Sequence, residues 1–194
     1  MKKILFLAML TCNIAHAQNF SVSIAASSNF QISRDEGGQK SCGIRSMIVY
    51  NDPLQKHSAR AIDFSLVIYS TLMTVIKFGV LNVNASTGGI LPIGRQEKVY
   101  LASPAQDINL TSEHPMESES ENYTLALFKD SPSAIKVLDA ISIGETMQIQ
   151  IPRKNEPLYT TVQFSAPMSV PEQQALIECL SNLGSRVKKE NDAK

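Results

Sequence analysis

Few side chains in this sequence are of a type and spacing that would do chemistry. Cys42 and Cys179 are the two cysteines beyond the N-terminal stretch that holds Cys12. A reactive thiol or zinc ligand would call for a Cys-x-x-Cys pair or a closely spaced histidine, and neither is present. In an oxidising compartment such a pair closes into a structural disulfide, here spanning a loop long enough for about 4–5 kcal/mol. His57 and His114 stand far apart in polar, loop-like stretches and read as solvated. Glu113, Glu117, Glu119 and Glu121 crowd into one polar segment. Acid–base or cation-binding work would require surroundings that retune a carboxyl group, so a mobile solvated loop is the plainer reading, with the four glutamates as candidate partner contacts. Arg153 and Lys154 in the last hairpin, like Arg95 and Lys98 beside a strand start, would either meet an acidic partner or keep a turn soluble and an edge unpaired. No Gly-x-Ser-x-Gly elbow or phosphate-binding glycine loop occurs. The expectation is a non-enzymatic chain without metal or cofactor.

Composition narrows the class further. Lysine and arginine number 18 against 18 acidic residues, hydrophobic residues make up 43%, and tryptophan is absent. A nucleic-acid binder would carry a basic excess, and a disordered chain would be poorer in large apolar residues. Lys2 and Lys3, the apolar run Ile4 to Leu10 and the small-residue site Ala15-His16-Ala17 have the order of a secretory signal peptide over residues 1–17, cut before Gln18. The apolar run is too short to span a bilayer, so no membrane span is expected after cleavage. The leader is bacterial in style, which predicts a periplasmic or secreted protein.

The elements expected to position these residues are mostly strands. Ser21 to Ile24 and Ile44 to Tyr50 alternate around a turn at Arg34 to Gly38. The apolar run Phe64 to Ile76 reads as two buried strands joined near Ser70-Thr71, and Phe78 to Val83 continues the pattern. Further strands are expected at Lys98–Ala102, Asp107–Leu110, Tyr123–Phe128, Glu145–Ile151 and Leu158–Phe164, with Glu113–Asn122 a loop. Ser131-Pro132 would cap a short helix ended by Gly144. Ser169 and Pro171 open a second, amphipathic helix bearing Leu176, Cys179, Leu180 and Leu183 on one face, with Gly184 at its C-terminal cap. The fold class expected is mainly β: a β-sandwich or partly open barrel with one short helix and a C-terminal amphipathic helix. Residues 18–185 form one domain and residues 186–194 a charged tail.

This layout, with Ser41-Cys42-Gly43-Ile44, the helix–glycine–strand unit from Ala134 to Met147, the strand end Val162-Gln163-Phe164-Ser165 and the helix holding Leu176 and Cys179, resembles the small periplasmic β-proteins of the invasion-associated locus B type and related exported families. The resemblance implies an envelope protein and supplies no catalytic residues. The functional expectation is a periplasmic binding or adaptor protein that recognises another envelope protein through a sheet edge or end loops. The alternative is an inhibitor or immunity protein against an envelope-targeted hydrolase, with the acidic loop as the blocking element.

Overall fold

The computed structural model describes residues 19–35, 38–53, 59–84, 89–152 and 159–192. Eleven strands form the bulk of it: β1 (Asn19–Asp35), β2 (Gly38–Asn51), β3 (Ala59–Tyr69), β4 (Thr74–Val83), β5 (Ile90–Pro92), β6 (Tyr100–Ser103), β7 (Ile108–Thr111), β8 (Glu113–Glu117), β9 (Thr124–Phe128), β10 (Met147–Pro152) and β11 (Tyr159–Phe164). Two helices, α1 (Ser131–Ile143) and α2 (Val170–Asp192), complete the mainly β fold. Period-two alternation sets the faces: Ile44, Ile48, Ile62, Phe64, Leu66, Ile76, Phe78, Val162 and Phe164 all point to one buried core. Phe64 and Phe164 meet edge to face there, 6.2 Å apart.

The strand order is β7-β6-β10-β11-β1-β2-β3-β4-β9-β8, with β5 also on β4. The two outermost strands, β7 and β8, are consecutive in the chain, and the single residue between them, Ser112, is buried. Its N–H donates to the Val99 carbonyl at 3.0 Å, and its hydroxyl accepts the Val99 N–H at 2.9 Å. That corner brings the ends of the sheet together and makes it nearly closed. β1 serves both halves. Its first four residues run parallel to β11; beyond them a bulge between Ser23 and Ala25 turns the strand, which pairs antiparallel with β2.

The barrel-like sheet has two unlike ends. At one end lie the β3–β4 turn, the start of β10 and the finish of β11, and α1 plugs it. Ser131 Oγ donates to the Leu72 carbonyl, and the Met168 N–H donates to Ser142 O at 3.0 Å. Ala134, Val137, Leu138, Ala140 and Ile141 of α1 are fully buried in the shared core. Asp130 is the N-cap, one residue earlier than the serine expected, because its carboxylate accepts both the N–H and the hydroxyl of Ser133. Gly144 ends the helix in the left-handed region, φ 81°, as its position predicts.

α2 opens with a capping box in which Ser169 donates its N–H and hydroxyl to the Glu172 carboxylate. Its buried stripe of Leu176, Cys179 and Leu183 lies against β1 and β2. Cys179 forms the expected disulfide with Cys42 of β2, Cα atoms 5.8 Å apart. The bridge anchors the helix to the long β1–β2 hairpin.

Three further expectations differ from the structure. β1 and β2 are far longer than the runs Ser21–Ile24 and Ile44–Tyr50, because pairing in register from Ser23 to Asp35 holds the Ser- and Ala-rich segment extended despite its weak propensity. Residues 113–117 form strand β8, although most of their side chains are exposed. Gly184 is not a cap: α2 continues through it to Asp192.

These two glycines should respond oppositely to alanine. At Gly144 a Cβ would face the left-handed penalty and the Pro167 ring at 2.8 Å; at Gly184 it would meet open space. Thermal unfolding should show Gly144→Ala destabilised by more than about 1 kcal/mol and Gly184→Ala stabilised by up to about 1 kcal/mol.

Candidate functional site

The outward faces of β2, β3 and β4 carry the polar residues of otherwise apolar strands. Ser65 of β3 lies opposite Arg45 on one side and Lys77 on the other. Asp63, two residues earlier on the same face, has a side chain only 4% exposed. Such a carboxylate requires full pairing, and it has it. Arg45 grips it with both prongs, Nε to Oδ1 at 3.0 Å and Nη2 to Oδ2 at 2.7 Å, while the Tyr123 hydroxyl donates to Oδ2 at 2.7 Å.

Tyr123 reaches Asp63 by lying across β4 at Gly79, which pairs with Asp63 in the β3–β4 ladder. A Cβ on Gly79 would stand 3.0 Å from the tyrosine ring, so the glycine leaves room for it. The Lys77 ammonium sits 5.2 Å from the centroid of the same ring and 3.4 Å from Ser120 Oγ. These groups border a groove of about 480 Å³, floored by Val67, Val75 and Leu125, with Tyr69 and Gln31 at its far side.

The Glu113–Asn122 segment forms one bank of this groove through Ser120. It is held firmly for an exposed segment. The Arg95 guanidinium donates to the carbonyls of Glu121 (2.9 Å) and Ser118 (3.4 Å), and pairs with Glu117 at 3.1 Å. Glu113 pairs with Lys129, whose hydrogen bond is the main reason its carboxyl is held below the usual range. Glu119 and Glu121 project into solvent. Of the expected contact residues, the four glutamates therefore share one strand-and-turn unit beside the groove, and Arg95 is its clamp. Lys98 is exposed and acts on Glu113 only as a nearby charge. Arg153, Lys154 and His57 lie outside the described residues. His114 is largely exposed, 3.9 Å from Glu113, at φ 51° in the bulged part of β8.

Asp63, Arg45, Tyr123 and Lys77 were not evident as a group, since Asp63 is 18 positions from Arg45 and 60 from Tyr123. The available signals were a lone acid inside the apolar run Ala61-Ile62-Asp63-Phe64 and a glycine within β4. Among the described residues no cluster of three or more His, Cys, Asp and Glu could hold a metal ion. The arrangement offers a rigid, amphipathic groove with two cations on its wall, fit for binding. No family model, curated protein or solved structure matches the chain.

Burial is the largest single influence on Asp63 and opposes its charge, but the hydrogen bonds from Arg45 and Tyr123 and the charges of Arg45 and Lys77 outweigh it. The carboxyl is held below its ordinary value. An unfolded aspartate titrates near about 3.9, so this contribution to stability is complete above that pH and is lost as the pH falls through the native value. For Tyr123 the sign reverses. Burial, then the bond to Asp63, pushes its phenol up to about 12. Keeping it neutral stabilises the fold below about pH 10 and ceases to as the pH climbs through about 12. Tyrosinate absorbance should show a late-ionising component that Tyr123→Phe removes; an unchanged titration curve would contradict the contact.

Proposed function

We propose that this chain is an exported, non-enzymatic binding or adaptor protein of the bacterial cell envelope, holding an acidic segment of another envelope protein in the groove beside the Glu113–Asn122 unit. The observation that carries this reading is the groove wall, where Arg45 is about half exposed while anchored by Asp63 and Lys77 stands across Ser65 from it. Of the two positive side chains, Arg45 is neutralised by the buried Asp63 and Lys77 adds a positive charge to the wall, while Val67, Val75 and Leu125 supply an apolar floor. A sugar would call for an open aromatic platform. One side of the Tyr123 ring is taken by Gly79 and the ring lies under the Lys77 ammonium, which favours a peptide.

Export is supported by the leader-like order of Lys2, Lys3, the apolar run and Ala15-His16-Ala17, and by a Cys42–Cys179 bridge that suits an oxidising compartment. Among the described residues no helix is long and apolar enough to cross a membrane. The alternative reading, an inhibitor or immunity protein against an envelope hydrolase, draws on the clamped presentation of Glu119 and Glu121.

A photo-crosslinking side chain placed at Ser65, with Asn109 of β7 and Glu119 as comparison positions, tests both readings in intact cells. The adaptor reading expects the processed chain in the periplasmic fraction and one identified envelope protein attached through Ser65, with Lys77→Glu weakening capture about tenfold, roughly 1.4 kcal/mol. Attachment through Glu119 alone, to a hydrolase, would select the alternative. Equal attachment from Asn109, or a chain retained in the cytoplasm, would defeat the adaptor reading.

A further inference from the structure

We infer that the outer groove reads a two-residue pattern in an extended peptide: one carboxylate at Arg45 and Lys77, and an apolar side chain two positions away over Val67 and Val75. The inference rests on the adaptor reading above and names the kind of segment the groove holds. Two cross-strand rows on the outer face of β2, β3 and β4 carry it. Arg45, Ser65 and Lys77 make the first, and Gly43, Val67 and Val75 the second.

The chemistry of the first row is set by how Arg45 is held. Asp63 takes one edge of the guanidinium, Nε with Nη2, and is itself almost fully buried. The adjoining edge, Nη1 with the second hydrogen of Nη2, donates to no group among the described residues. About half of the side chain is exposed, and it lines the groove. An arginine pinned along one edge loses little rotamer freedom when a ligand meets the other, and that edge fits a carboxylate through two parallel hydrogen bonds. Lys77 completes the row, its ammonium steadied by the Tyr123 ring and Ser120. Asp63 cancels the charge of Arg45, so Lys77 is the uncompensated cation of this row. One acidic residue, rather than a run of them, matches that balance.

The second row is low and apolar. At Gly43 the strands β2 and β3 approach so closely that a Cβ would stand 2.1 Å from the Leu66 carbonyl oxygen, so no side chain fills the floor beside Val67. Val67 and Val75, paired across β3 and β4, are only partly buried. Successive same-face residues of a strand are two apart, about 6.7 Å. An extended peptide laid along β3 has the same repeat. A carboxylate over Ser65 therefore puts the side chain two positions away over Val67, whereas an adjacent residue points away from the sheet.

The full-length, disulfide-intact protein can be titrated with capped pentapeptides and followed by amide chemical shifts. Gly-Asp-Gly-Leu-Gly and Gly-Leu-Gly-Asp-Gly carry the pattern in the two chain directions. Gly-Asp-Leu-Gly-Gly makes the two residues adjacent, Gly-Asp-Gly-Gly-Gly omits the leucine, and an asparagine form of each patterned peptide removes the charge. The tighter patterned peptide should give saturable shifts at Ser65, Val67 and Val75. It should bind at least about fivefold more tightly than the adjacent and leucine-free peptides, and about tenfold more tightly than its asparagine form. Val75→Thr, which keeps the side-chain shape, should erase the advantage of leucine and keep that of aspartate; Lys77→Gln should do the reverse. Equal binding of the asparagine form would remove the acidic-partner reading and this inference with it. A preference for aspartate that ignores the leucine or its spacing would leave that reading standing and overturn the inference alone. No saturable shift with either patterned peptide, or a leucine preference that survives Val75→Thr in a natively folded protein, would also overturn it.

Discussion

A twisted sheet of eleven strands is of the size at which sheets curl, split or flatten; this one curls, and closing it creates an interior that must be filled. Helix α1 meets that requirement. It leaves β9 on one half of the sheet and returns to β10 on the other, carrying Ala134, Val137, Leu138, Ala140 and Ile141 into the core on the way. Val137, Leu138 and Ile141 each contribute about 1.5–3 kcal/mol relative to exposure, and the two alanines less. The helix therefore holds both halves of the sheet on a common core, and the Ser112 corner joins their free ends. Everything on the outside is positioned by that closure.

The candidate groove lies on the outer of the two surfaces that closure produces. On the outer face the strands present residues of the alternate parity, so a buried acid such as Asp63 survives only because neighbours on β2 and before β9 supply three donors. The resulting groove is rigid by construction. At the end that α1 does not reach, the inward-facing series ends at Tyr50, Arg60, Val80 and Ile151, and Arg60 pairs there with the buried Asp52. The disulfide acts elsewhere. It fixes α2 to the β1–β2 hairpin.

Much of this was legible residue by residue. Cys42 and Cys179 were paired by parity and predicted compartment, the break at Ser70-Thr71 fell between β3 and β4, and the apolar stripe of α2 placed Cys179 toward the sheet. The misses share a physical cause, since each depends on a neighbour distant in sequence. Nothing local makes Ala25 to Asn29 a strand; the ladder with Arg45 to Val49 does. Gly184 has the chemistry of a cap but lies in a helix already secured at Cys179 and Leu183, so one weak residue does not stop it. The Asp63 cluster needs the β3–β4 register before Gly79 and Tyr123 can be related at all.

Helix α1 is an interior element rather than a surface one, and native-state hydrogen exchange tests this most directly. In the folded, oxidised protein the amides of Val137 to Ile141 should exchange as slowly as those of Phe64 to Ile68 in β3, opening only with global unfolding. Exchange of those α1 amides at the rate of a solvent-facing helix, with β3 still protected, would contradict the account.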